Sequence, residues 1–381
     1  MTKKSSRRMC AVVAAIAAAA LLGACSSTST REPVELEKFD KTLDVEKVWS
    51  VSLGANPTGL LAPIVTENGI FAAGGDELYR INPETGETIW KVAIGSAATA
   101  GVGSDGRTVA LSTAAGYLVT FDDTGKELWK AKLTSELIAP PLVGSGLVIA
   151  RTSDTRISCY DAVTGERRWR YQGQSPSLSL RIAREMRFSP AGILVGQSNG
   201  RLLALDGNGK TIFEIPVAMA KGTTEVDRLV DVVGAPLVDA TMMCASAYQG
   251  NVLCISSEDG HRLWIRPVDA VSGPVSDGLY TYVTATNGEI HAFMHDSGTP
   301  RWVNKSYLWR TPGAPVVTPE AVAFCDYDGI VSFLSPETGE TIARTDVGSA
   351  TKSAPVPMAG GALFQTEEGQ LVFLRARAEE K

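Results

Sequence analysis

At 381 residues and 44% hydrophobic content, the chain is long enough to bury a large core and exceeds one ordinary domain. The net charge is −6, and the first 24 residues hold four basic residues and no acid, so the remainder is more acidic still. This balance argues against a nucleic-acid binder and against a basic membrane-surface patch.

Lys3, Lys4, Arg7 and Arg8 form a positive n-region, and residues 10–23 an apolar run too short to span a bilayer comfortably. The run ends in Leu22-Gly23-Ala24-Cys25, which resembles a bacterial lipobox: a branched residue, two small residues, then a Cys whose thiol takes a diacylglyceryl group. Residues 1–24 therefore read as a lipoprotein signal peptide and Cys25 as the lipidation site. The alternative is an ordinary secretory signal with a coincidental Cys. Arg7-Arg8 also fits twin-arginine export, but the rest of that pattern is weak and the general secretory route is preferred. Ser26, rather than Asp, follows the Cys, which in lipoproteins of enteric-type bacteria implies sorting to the outer membrane. Acyl chains would anchor the protein firmly, each buried methylene contributing roughly 0.8 kcal/mol. Residues 25–44 are expected to be the lipidated Cys and a flexible tether, because Ser26 to Pro33 offers nothing to bury; such a coil spans roughly 20–25 Å. No other segment is long and apolar enough to cross a membrane.

Residues 45–381 repeat one phrase: a turn, a short apolar strand, a second turn ending in Gly, and a strand that begins at an aromatic. Asp76 leads to Thr85-Gly86 and Trp90, Gly116 to Thr124-Gly125 and Trp129, Thr155 to Thr164-Gly165 and Trp169. Gly200 leads to Asn208-Gly209 and Phe213, Gly250 to Asp259-Gly260 and Trp264, and Asn287-Gly288 to Ser297-Gly298 and Trp302. Gly329 leads to Thr338-Gly339 and Ala343, while an eighth phrase from Gly369 runs out of chain before its last strand. A second marker sets the phase. Pro141, Pro236, Pro274, Pro315 and Pro355 each lie 14 residues before their repeat's first turn residue. A Pro suits the first residue of an innermost strand, where no ladder donor is needed.

Four strands per repeat of about 40 residues, arranged radially, make a β-propeller. The fold expected is all-β: an eight-bladed β-propeller with four-stranded blades. Val48-Trp49-Ser50-Val51 matches the strand that blade eight lacks, so an N-terminal strand closes the ring by completing the last blade. Six of the seven Trp residues share one slot (49, 90, 129, 169, 264, 302) and are expected to pack between blades rather than to stack on a cofactor. The degenerate Leu-x-Ala-x-Asp-x-x-Thr-Gly-x-x-x-Trp resembles the repeat of pyrroloquinoline-quinone propellers. That likeness identifies a fold, and fold does not settle function.

Quinoprotein dehydrogenases on this fold need a calcium site, a stacking platform and a catalytic carboxylate, and many carry a vicinal Cys pair; no two cysteines are adjacent here. His291 and His295 are four apart in a strand-and-turn region, where that spacing does not make a metal site, and they read as surface or blade-packing residues. No nucleophile elbow, Walker loop or zinc spacing occurs. No catalytic residue, metal or cofactor is expected. Besides Cys25, the processed chain keeps Cys159, Cys244, Cys254 and Cys325. With a three-residue loop Tyr248-Gln249-Gly250, Gly250 taking the left-handed position, Cys244 and Cys254 face each other. A cross-strand bridge is then possible, with simple burial as small apolar side chains preferred.

Connections from the aromatic slot to the next blade are short, except two consecutive ones: Trp169 to Met186 is 17 residues and Phe213 to Pro236 is 23. Both emerge on one face, side by side. The first holds Leu178, Leu180 and Arg181; the second holds Glu225, Asp227, Arg228 and Asp231. An apolar pair beside an Arg, opposite an acidic segment, has hot-spot composition, and long loops on a rigid scaffold concentrate function. The alternative folds Leu178 and Leu180 back on the ring and pairs Arg181 internally with Asp227 or Asp231.

Lipobox, tether, a catalytically empty eight-bladed ring and the segments Ser-Leu-Ser-Leu-Arg and Glu-Val-Asp-Arg-Leu-Val-Asp-Val together resemble the BamB family, lipoprotein scaffolds of the outer-membrane β-barrel assembly machine. The resemblance implies a non-enzymatic protein, lipid-anchored in the outer membrane and facing the periplasm. It also implies that Leu178, Leu180, Arg181 and Asp231 contact the periplasmic domains of BamA, the insertase subunit. Unfolded outer-membrane proteins would be further partners, bound at strand edges. The family often has a second acid two residues after the one matching Asp231. This chain has Val233 there, which leaves more of the interface to Leu178 and Leu180. Two other readings stand beside this one: a periplasmic quinoprotein dehydrogenase, and a carbohydrate- or envelope-binding propeller.

Overall fold

Every copy of the repeated phrase folds into the same four-stranded antiparallel sheet, and the described residues hold eight such sheets, arranged as a β-propeller. The structure, a computed structural model, describes residues 31–56, 58–174, 178–180 and 184–378. Blades 1 to 7 span residues 64–93, 103–132, 142–172, 186–216, 232–268, 275–304 and 316–346, each taken inner strand first. Blade 8 takes its three inner strands from 356–378, and its outermost strand is Leu43–Ser52. That strand pairs with Gln370–Ala378 from Leu43↔Ala378 to Ser52↔Gln370. The ends of the chain thereby close the ring and cover an edge that would otherwise be open to pairing.

The second strand of most blades is buried along its whole length, as in Gly69–Gly74 and Thr108–Ser112, because a neighbouring blade covers each face. The outermost strands of blades 1 to 4 alternate exposed and half-buried residues. The inner strands are short, and in blades 3, 6, 7 and 8 the expected Pro stands directly before the strand rather than in it. Blade 5 departs from this: Pro236 lies inside Val232–Val238, where the register shifts between Val233 and Leu237 and no ladder donor is missed.

The aromatic slot fixes each blade to the next. Trp90 pairs with Arg80, Trp129 with Thr120, Trp169 with Cys159, Trp264 with Cys254 and Trp302 with Ala292, each beside a bulge in the outer strand. From there the indole N–H donates to a turn carbonyl of the following blade: Trp49 to Pro83 at 3.1 Å, Trp129 to Ala162 at 2.9 Å, Trp169 to Gly207 at 2.8 Å and Trp302 to Pro336 at 2.8 Å. The ring plane lies on the Gly of that turn. A Cβ on Gly165 would stand 2.6 Å from the Trp129 ring, and its φ is +71°, so this position requires glycine twice over.

Two seams have no indole, at Phe213 and Ala343, and each is filled by other means. Between blades 4 and 5, Val217 and Val230 of the long connection join the core with Val232 of the next strand. Between blades 7 and 8, Leu43 and Val45 pack against Ala343 and Phe333. The tether expected out to residue 44 is therefore shorter. From Val34 onward the chain is bonded to the ring, through Val34 N to Leu308 O at 3.1 Å and Thr42 N to Ile342 O at 3.1 Å. The expected signal peptide, residues 1–24, and the expected lipidation site Cys25 lie outside the described residues.

Cys244 pairs with Cys254 across the Met242–Ala247/Gly250–Ser256 hairpin and the two are joined by a disulfide, so the bridge prevails over simple burial. The left-handed position in the hairpin loop belongs to Gln249 (φ +48°), not Gly250. Asp269 accepts the Gln249 N–H at 2.6 Å and holds it there.

Candidate loop-face docking site

Strands in a blade alternate in direction, so every connection to the next blade lies on the same face as the hairpin turn between the second and third strands. This loop face carries the two long connections, 173–185 between blades 3 and 4 and 217–231 between blades 4 and 5.

The second connection starts with Val217 and Ala218, both of which donate their N–H to Gly200 O at 2.9 Å. It then makes one tight turn. Thr224 and Asp227 cap each other, Thr224 N reaching Asp227 Oδ2 at 3.2 Å and Asp227 N reaching Thr224 Oγ1 at 3.1 Å. The Thr224 hydroxyl and backbone N–H bonds hold the Asp227 carboxyl below its ordinary range. Glu225, Asp227 and Arg228 are exposed, and Val226 is 63% exposed at the turn's crest, where its carbonyl accepts Gln249 Nε2 at 3.3 Å. Met219, 71% exposed, adds a second apolar side chain to this loop.

The connection then dives. Asp231 is 0% exposed and is the hub of the site. Its Oδ2 accepts the Leu180 N–H at 2.6 Å, and its Oδ1 pairs with Arg184 Nη1 at 3.1 Å. Arg184, 3% exposed, also donates to Ser198 Oγ and to Leu180 O. Behind it, buried Arg151 donates to Gly196 O, and burial together with the nearby Arg184 pushes its guanidinium down to about 9. Burial likewise lowers Arg184. Burial raises the Asp231 carboxyl, partly offset by Arg184 and the Leu180 N–H.

The expected contact residues thus separate into two groups. Leu178 is 48% exposed and Leu180 half-buried, and both belong to a segment fastened from below. Asp231 does not reach the surface: desolvated beside Arg184, it holds the Leu180 backbone N–H. Arg184 takes the internal pairing that the alternative gave to Arg181; Arg181 lies outside the described residues. Nothing in the pattern Arg181-Ile182-Ala183-Arg184 marks Arg184 as the guanidinium that pairs with Asp231. Met219 is not among the residues expected from the sequence; the signal for it is an apolar residue standing in a polar connection.

This arrangement has no reacting group: a paired carboxylate and guanidinium, closed to solvent, can position a backbone and do little else. Asp239, His295 and Ser276 form an Asp-His-Ser sequence of contacts (2.8 and 3.1 Å). Yet Ser276 Oγ already donates to Tyr280 O at 2.7 Å and Thr281 Oγ1 shares His295 Nδ1 at 2.8 Å, so the group is a clasp between blades 5 and 6. His291 pairs with Glu289 at 3.1 Å and stacks on Phe293. Among the described residues no three His, Cys, Asp or Glu are grouped to hold a metal. A central cavity of about 1280 Å³ runs along the inner strands, with Pro141, Pro274, Pro315 and Pro355 in its wall.

The family profile described as outer membrane protein assembly factor BamB matches residues 74–304. The chain is 37% identical to the BamB of Bordetella pertussis, covering 93% of this chain and 94% of that one. It is 36% identical to the BamB of Burkholderia pseudomallei, covering 97% and 99%. Among solved structures, BamB from Moraxella catarrhalis superposes with a TM-score of 0.80 at 24% identity, over 87% of this chain and all of that one. The quinohemoprotein alcohol dehydrogenase from Comamonas testosteroni shares the fold at a TM-score of 0.67 and 15% identity, over 91% of this chain and 80% of that one.

Proposed function

The chain belongs to the BamB family of outer membrane protein assembly factors, and on that premise we propose that it is a non-enzymatic scaffold of that machinery. It docks the periplasmic domains of BamA through its two long loops and so aids folding and insertion of outer-membrane proteins. Acylated Cys25 anchors it in the outer membrane, facing the periplasm. The observation that carries this reading is the fastening of two neighbouring loops to each other through Asp231, which leaves Leu178, Val226 and Arg228 exposed on one face. Preorganised apolar and Arg side chains lose little entropy on binding. Leu178, Leu180, Arg181, Glu225, Asp227 and Arg228 supply the contacts, and Asp231 supplies their geometry.

The mechanism is non-covalent. The rigid ring holds the insertase domains in position, and its outer strand edges are open to unfolded clients by strand addition. Leu178→Ala combined with charge reversal at Arg181 should release BamA in a pull-down from solubilised membranes. Undiminished co-purification would overturn the assigned site.

A further inference from the structure

Before the first blade strand begins, the chain makes a detour along the outside of blade 7. Val34 N donates to Leu308 O at 3.1 Å, and Val34 O accepts Arg310 Nη1 at 3.2 Å. Leu308 and Arg310 belong to the connection between blades 6 and 7, which lies on the loop face. Leu36 then packs against the cluster around Tyr307 and Phe324. Glu37 O accepts Arg344 Nη1 at 2.6 Å, the Phe39 ring lies 4.8 Å from the Arg344 guanidinium carbon, and Thr42 N reaches Ile342 O. Since Thr341–Asp346 runs toward the loop face, the strap descends it, and Leu43 begins its strand at the opposite face.

We infer that this strap turns the loop-bearing face toward the lipid surface. The inference rests on the proposed acylation of Cys25. From that residue to Val34 the chain spans at most about 30 Å at ~3.3–3.6 Å per residue, and it meets the ring on the loop face. Were residues 34–42 free, the leash would reach about 60 Å and would meet the ring at Leu43, on the far face. The same anchor would then present the ring the other way round. The strap therefore halves the leash and selects the face that faces the bilayer, which brings the docking loops within reach of a membrane-embedded partner's domains.

The test uses the acylated full-length protein in vesicles carrying a headgroup energy acceptor. Donor dyes are placed at Glu368→Cys, exposed on the loop face of blade 8, or at Glu320→Cys, exposed on the opposite face of blade 7. Cys159 and Cys325 are buried and Cys244 and Cys254 are bridged, so labelling is selective. Transfer should be stronger from position 368 than from 320, and Leu36→Ser with Phe39→Ser should reverse that order. Equal transfer from both positions, or an order unmoved by releasing the strap, would overturn the inference. Failure of the protein to float with vesicles would instead sink the acylation on which it rests, and a cooperative unfolding transition in the double variant shows that the ring itself is intact.

Discussion

Asp231 Oδ2 accepts the Leu180 backbone N–H at 2.6 Å across 51 positions of sequence. This one bond joins two connections that belong to different blades, and the Arg184 guanidinium closes the arrangement from the other side. Both charged groups are out of water, so each depends on the other. Removing one partner of a buried pair strands a charge, at a cost of roughly 3–5 kcal/mol. Asp231→Ala should therefore lower unfolding stability by about that amount in urea titration. Replacing both residues by apolar ones of similar volume should cost much less. BamA binding should fall in the double variant even where stability recovers, because Leu180 has lost its acceptor.

The indole seams make a second prediction. Gly165 and Gly146 both take positive φ, +71° and +73°, but a Cβ meets the Trp129 ring only at Gly165 and meets nothing within 4 Å at Gly146. Gly146→Ala should cost only the backbone strain, on the order of 1 kcal/mol. Gly165→Ala should cost about 1–3 kcal/mol more by displacing the indole and breaking its bond to Ala162 O. Thermal unfolding of the two variants side by side separates the terms.

Thiol counting checks the bridge. Burial pushes Cys159 and Cys325 up to about 11, so almost no thiolate exists at neutral pH and the native protein should resist alkylation. Because the thiols sit above their ordinary range, raising the pH toward that value in the folded state should restore labelling only where access allows. The unfolded mature chain should react at two positions without reductant and at four with it. Four without reductant would exclude the bridge.

Leu43 is buried in the seam between blades 7 and 8, which has no indole, in one cluster with Ala343 and Phe333. Leu43→Ala should cost about 2–5 kcal/mol, as expected for a deep core truncation. Glu46→Ala, exposed on the same strand, should be nearly silent. A similar response from both would mean that the N-terminal strand does not close the ring in solution.

Much of this protein was legible in the residues alone. Blade number, phase, the closing strand and the Trp packing follow from a repeat, because each blade must bury the same faces against the same neighbours and so reuses the same residue types at the same spacing. The Cys244↔Cys254 register followed from loop length in the same way. The Asp231–Arg184 lock and the strap along blade 7 did not. Asp231 lies in an acidic loop segment that reads as solvent-facing, and Arg181 and Arg184 are equivalent in local pattern. The burial of Arg184 with Asp231 depends on a pocket built by blades 3, 4 and 5 together, and desolvation there is decided by packing between segments far apart in the chain. The strap is likewise polar by composition, and residues far along the chain, among them Leu308, Arg310, Ile342 and Arg344, give it somewhere to bind.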